Sequence, residues 1–250
     1  MLPWEHEEIL RQLMPGKAFT IGSLVRMVPG LALTLIVGGV LLALGVPFAG
    51  EAITKISANP IVKRIQNHEP VSRKQLEDLI RSREDALYWR ESAATWSELG
   101  LAQLLLTLEA EFDDRKKRDL IIASISSLKK SLARAPADAF VWTRLAYAQL
   151  LLSGPSPEVA TTLRMALQTA PYEPQLFLIR LELAFLGWPY LGPDDRDLVW
   201  QQVRWAWRHQ PGKLVRLARS LDRIDVVRAA LSQAPEDLLR FEKLLKKPAP

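Results

Sequence analysis

The chain has 250 residues, no cysteine, and 33 Lys and Arg against 28 Asp and Glu, a formal net charge of +5. Its mean hydropathy is near zero, too polar for a multi-pass membrane protein and suited to one span carrying a water-facing domain. The lack of cysteine excludes disulfides, thiolate metal sites and cysteine nucleophiles, and the small, dispersed excess of positive charge argues against a nucleic-acid binder.

Residues 1–26 form a short tail. Trp4, Ile9, Leu10, Leu13 and Met14 lie between Pro3 and Pro15-Gly16, which bracket at most three helical turns. A piece resting on the membrane surface and an unstructured tail both fit that pattern. Residues 27–50 carry no charge at all. At ~1.5 Å per residue they reach ~36 Å, enough to cross a hydrocarbon core of ~30 Å with some tilt. A cleaved signal peptide has a shorter apolar stretch and small residues at its cut; Val46-Pro47-Phe48-Ala49-Gly50 offers a poor one. The run therefore reads as an uncleaved transmembrane anchor.

Lys17 and Arg26 flank the run on one side, and Lys55, Lys63 and Arg64 on the other, so the positive-inside rule is nearly tied. A first span behind a short tail commonly inserts as a signal anchor, which places the N-terminus inside and the body outside. Gly30, Thr34 and Gly38 follow at four-residue steps, then Gly39 and Ala43. Such spacing lets two membrane helices approach closely; it offers a route to self-association or to another span, and glycines are also common in membrane helices without such a role.

Residues 51–71 read as a basic amphipathic stalk lying against headgroups, with Ile53, Ile56, Ile61, Val62 and Ile65 among Lys55, Lys63 and Arg64. Residues 72–245 read as a helical-repeat domain, and 246–250 as a flexible tail. Ser72-Arg73-Lys74-Gln75 has the form of a capping box, followed by Leu76, Leu79, Ile80 and Leu87 at helical spacing. The next helix carries Trp96, Leu99, Leu101, Leu104, Leu105 and Leu108. No alternation of period two occurs, so the predicted fold class is all-α.

Four segments end alike: Ser131-Leu132 before Pro136, Ala166-Leu167 before Pro171, Ala206-Trp207 before Pro211, and Ala230-Leu231 before Pro235. Each has an apolar residue four before the large one: Leu128, Leu163, Val203 and Val227. The small residue permits close helix packing, the large one fills a core, and proline ends the helix. Within Ala139–Pro171, Trp142, Leu145 and Ala146 precede Ser156-Pro157 and then Ala166, Leu167 and Pro171. The preceding stretch shows Trp96, Leu99 and Gly100, then Leu128, Ser131, Leu132 and Pro136, with extra residues around Asp113–Arg118.

Over roughly residues 92–236 this pattern resembles the tetratricopeptide repeat, a helix–turn–helix unit of about 34 residues. The resemblance implies an α-solenoid of antiparallel helix pairs, with later units degenerate. It also implies an inner groove lined by first-helix positions, which here are Phe140, Thr143 and Tyr147. Trp188 and Tyr190 lie in a proline-rich connection, where they either contact a partner or fold back on the repeat. Trp200, Val203 and Trp207 share one helical face and read as core, with Trp205 on another.

No catalytic constellation emerges. His6, His68 and His209 lack ligand spacing. Asp113-Asp114 and Asp194-Asp195 sit where helices start and acids complement the macrodipole, and Arg115–Arg118, offset by neighbouring acids, reads as a solvated loop between helices. The expectation is a non-enzymatic protein with no cofactor, metal or nucleic-acid ligand: a single-pass scaffold or assembly factor of the bacterial inner membrane. Its body is expected to be periplasmic and its partners subunits of a membrane or envelope complex. The layout is similar to anchored repeat proteins of polysaccharide synthesis and export, and also to those assisting translocon or cytochrome c maturation assemblies.

Overall fold

A computed structural model of the chain describes residues 21–108 and 112–247, with side chains from residue 32 onward. The amphipathic piece between Trp4 and Met14, the surroundings of Gly30, and residues 248–250 of the C-terminal tail lie outside the described residues. The elements are α1 (Ile21–Ile56), α2 (Asn59–Gln66), α3 (Arg73–Trp89), α4 (Ala93–Leu106), α5 (Asp114–Arg134) and α6 (Ala139–Ser153). They continue with α7 (Pro157–Thr169), α8 (Phe177–Leu186), a 3-10 turn at Trp188–Tyr190, α9 (Pro193–His209), α10 (Pro211–Ser220), α11 (Ile224–Leu231) and α12 (Pro235–Leu245). No strand occurs among the described residues. The chain divides into two compact units, one ending at Ala49 and the other beginning at Gly50.

Most helix starts follow from local chemistry. Ser72, Ser92, Asp113, Asp138 and Ser156 each accept a hydrogen bond from the backbone N–H three residues on, satisfying one of the donors that a helix start leaves free. Ser72 and Gln75 complete the reciprocal capping box. Pro60, Pro157, Pro193, Pro211 and Pro235 sit in first turns, where the missing N–H costs nothing. Gly154 ends α6 at φ +73, a conformation that L side chains rarely adopt.

Within α1, Ala32–Ile56 is long and apolar enough to cross a membrane, and its most apolar 18-residue stretch is not buried inside the protein. Gly38 and Gly39 have open space where a side chain would stand.

The helix runs past the expected boundary at Gly50, and the segment expected to be a stalk on headgroups behaves differently. Ala58 and Ile61 are buried with Leu79 and Ala102, backed by Val62, Ile65 and Val71. Burying a side chain such as Ile61 stabilises by about 1.5–3 kcal/mol, and the body's own apolar face takes this gain.

Charges at the end of α1 are also gathered inward. Glu51 is 5% exposed and accepts from Arg90 Nε at 2.5 Å, Ser92 Oγ at 2.7 Å and Thr95 Oγ1 at 2.7 Å. Arg83 is wholly buried; it donates to Glu98 at 2.6 Å, Asn59 Oδ1 at 2.9 Å and the Lys55 carbonyl at 3.4 Å. This one guanidinium ties together α1, α2, α3 and α4.

From α3 to α12 each helix packs on the next. Connections of a few residues between helices in contact turn the chain back on itself. Alternate helices also touch: α4 with α6, α6 with α8, α8 with α10 and α10 with α12 in one layer, α7 with α9 and α9 with α11 in the other. The core lies between the layers, and the recurring segment ends supply much of it. Leu128, Leu163, Val203 and Val227 are at most 1% exposed, as are Ser131, Ala166, Ala206 and Leu231. Arg115–Arg118 are not a loop. Asp113 caps α5 and the run occupies its first turns, largely exposed.

Candidate functional site

Four helices of the first layer present residues at the same spacing to one continuous depression. Leu101, Leu104, Leu105 and Leu108 come from α4 and its end; Phe140, Thr143, Arg144 and Tyr147 from α6. Gln175, Leu178, Ile179 and Glu182 come from α8 and the residues before it, and Lys213, Arg216, Leu217 and Ser220 from α10. Each set has the i, i+3, i+4, i+7 spacing that places side chains on one helical face. At the other end Ile65 and His68, at and after the close of α2, extend the depression. Its most apolar part is a cavity of about 210 Å³ lined by Leu104, Leu105, Leu108, Phe140, Tyr147, Leu176 and Ile179, with Thr143 and Arg144.

The expected groove residues therefore meet in one place, in different roles. Phe140 and Tyr147 are half-buried and reachable. Thr143 is 3% exposed; its hydroxyl donates to the Ala139 carbonyl at 2.7 Å and accepts from Arg180 Nε at 3.4 Å, so it belongs to the floor. Arg180 itself is fully buried, and desolvation pulls its guanidinium down to about 10 against the opposing field of Glu173. Arg144 spans from α6 to Ser97 of α4 at 2.9 Å. Burial lowers its affinity for a proton, with Asp138 and Glu98 opposing. Burial, reinforced by Glu182, keeps the Tyr147 phenol protonated to higher pH than usual. The centre is thus an apolar slot with one partly sheltered cation, flanked by Glu182, Lys213 and Arg216 farther along.

Trp188 and Tyr190 do not line this groove. Trp188 packs against the core under the guanidinium of Arg196, 4.9 Å from its ring centre, so the connection folds back as far as Trp188 is concerned; Tyr190 is 46% exposed. Val203 and Trp207 are core, with Trp200 against it, and Trp205 stacks on Phe177 at 5.9 Å. Among the membrane-helix candidates, Thr34, Gly39 and Ala43 are exposed and Gly38 is partly so.

Of the groups weighed for chemistry, Asp195, Asp113 and His209 have partners within the fold. Asp195 is 1% exposed and takes two hydrogen bonds from Arg164, at 2.5 and 2.7 Å, plus the Gly192 N–H. Arg164 above all holds its carboxyl below the usual range. Asp113 is a helix cap. His209 shares a 2.6 Å hydrogen bond with Tyr172, His68 is exposed at φ +59, and His6 lies outside the described residues. No group of three or more His, Asp or Glu among the described residues is arranged to hold a metal ion.

Two features escaped sequence reasoning. One is the set of groove partners Leu105, Leu108 and Ile179; α4 is apolar on nearly all sides, so its groove face has no contrast in the sequence. The other is the Glu51–Arg83 network, whose only signal is an acid and a base at i and i+4, Glu51 and Lys55, right after an uncharged run. No family model, curated protein or solved structure matches the chain.

Proposed function

We propose that the protein is a single-pass membrane scaffold or assembly factor whose helical body holds other proteins by the groove across α4, α6, α8 and α10. The body acts as a tetratricopeptide-like solenoid, and stacked helical pairs of that kind offer extended surfaces suited to partner binding. On this reading α1 anchors the body at a bacterial inner membrane with the body on the periplasmic side, serving an envelope complex such as one for polysaccharide synthesis and export. The open small-residue face of α1 is available to a second span.

One observation carries the reading: α4, α6 and α8 repeat the same spacing toward one apolar slot that the described residues leave open, and α10 repeats it beside the adjoining, more polar end. An apolar slot with half-buried aromatics and a sheltered arginine has the make-up of an anchor pocket for a protein segment. Its sparse polar lining supports positioning rather than bond-breaking.

The test uses the full chain, purified by affinity from detergent-solubilised membranes with its bound proteins. Phe140→Ala and Tyr147→Ala should each reduce recovery of a stoichiometric partner. Truncating a central aromatic anchor costs about 2 kcal/mol, roughly thirtyfold in affinity. Tyr190→Ala should leave recovery unchanged, and thermal melts confirm that each variant is folded. Unchanged recovery with folded Phe140→Ala and Tyr147→Ala overturns the groove assignment.

A further inference from the structure

We propose that the body seats itself in the lipid interface through an apolar and aromatic rim at its own start, formed by Ile53, Ile56, Tyr88 and Trp89. The inference rests on reading α1 as a membrane span and adds a second contact between protein and bilayer.

The last two turns of α1 are two-sided. Glu51 and Lys55 turn into the protein, where Arg90, Ser92, Thr95 and Glu98 satisfy them. Ile53 and Ile56 face outward, 68% and 64% exposed. A water-facing helix would show the reverse arrangement, with charge outside and isoleucine within. Beside this surface, the end of α3 carries Tyr88 and Trp89, 87% and 43% exposed, with rings 6.0 Å apart in edge contact. The Trp89 ring lies so close to Gly50 that a methyl group at that position would collide with it. A side chain at residue 50, where the uncharged run ends, would displace this ring, so the indole sits at that level.

Tryptophan and tyrosine favour this depth, because an amphipathic ring satisfies both the acyl boundary and the wet headgroups. The dimensions agree. Headgroup layers add roughly 5–8 Å on each side of the hydrocarbon, and Gly50 to Ile56 climbs ~9 Å along the helix. Charge selects the kind of membrane surface: Arg90 is paired with Glu51, while Glu84 and Asp85 lie exposed on α3 one turn before the aromatics. Among the described residues no cationic cluster marks the rim, so the proposed contact is with the interface of a neutral bilayer rather than with anionic headgroups.

Because the chain has no cysteine, single-cysteine variants report depth without background. Full-length protein carrying a nitroxide at Ile53→Cys, Tyr88→Cys, Val40→Cys or Leu239→Cys is placed in phosphatidylcholine nanodiscs. Collision with a water-soluble nickel chelate is then measured, with and without added salt. Labels at 53 and 88 should be several-fold less accessible than at 239, less protected than at 40, and insensitive to salt or to added phosphatidylglycerol. If 53 and 88 are as open as 239 while 40 is protected, the seat is wrong and the span stands. If 40 is as open as 239, the span reading fails and the seat with it. Protection at 88 that appears only with phosphatidylglycerol and vanishes in salt overturns the apolar mechanism.

Discussion

Asp195 shows how one carboxylate can make a fold pH-dependent. Arg164 and the Gly192 N–H favour its ionised form, so its folded-state pKa lies below the unfolded value of about 3.9. The stability it contributes is fully present above that unfolded value and is lost as pH falls through the folded one. We expect thermal stability to decline below about pH 4, with Asp195→Asn less stable at neutral pH, on the order of 2 kcal/mol, and flatter across the acid window. Parallel acid profiles for the two proteins would assign the loss to other carboxylates. Gly100 makes a different residue-scale demand: a methyl group there would stand 2.8 Å from Leu128 Cγ, and Leu128 is fully buried. The close approach of α4 and α5 is the physical reason for a small residue at that position.

Between elements, buried polar groups specify which helices meet. Ser124, Ser127 and Ser131 lie on one face of α5 and bond to the Gly100 carbonyl at 2.7 Å, Gln103 Oε1 at 2.9 Å and the Ala93 carbonyl at 2.8 Å. Small side chains let the two backbones come close, and the hydroxyls are satisfied across the gap. Arg83 does the same for four elements at once. Arg83→Ala leaves a void and removes the bonds to Glu98, Asn59 and the Lys55 carbonyl, leaving Glu98 with Lys55 at 3.8 Å. Removing one partner of a buried pair costs about 3 kcal/mol, or roughly 6–12 °C in the melting temperature of a body this size. Thermal unfolding of the full chain in detergent measures this. Arg228→Ala, which removes the exposed pair with Glu242, should barely move the melt. Equal shifts for the two variants would deny the network a special role. Helix starts and segment ends were legible in the sequence because caps, prolines and periodicity act over three or four residues. The network was not, since its members lie 15 to 44 positions apart.

On the scale of the whole chain, two compact units with different needs follow one another. The first supplies most of the apolar helix that can cross a membrane, the second a two-layered helical body. The counts of Lys and Arg flanking the uncharged run are nearly equal, so orientation is a question for experiment. An alkaline phosphatase fused after Pro250 should be active, since that reporter folds only outside the cytoplasm; an active cytoplasmic reporter at the same junction would reverse the orientation. Either result leaves the groove assignment intact, because the slot is built entirely from the second unit.

The sequence alone determined the all-helical class of the described residues, the apolar run, the helix starts at Ser72 and Ser156, and the residues that end four segments in the core. These follow from local chemistry and from period, which a single chain displays directly. The resemblance to a helical repeat singled out Phe140, Thr143 and Tyr147 as groove residues. Only the tertiary structure decided that this face of α6 opens on a slot shared with α4 and α8, that Thr143 belongs to its floor, and that Ile61 and Glu51 turn inward while Ile53 and Ile56 stay out. The reason is physical: which side of an apolar helix is covered depends on what packs against it, and no pattern within that helix records its neighbours.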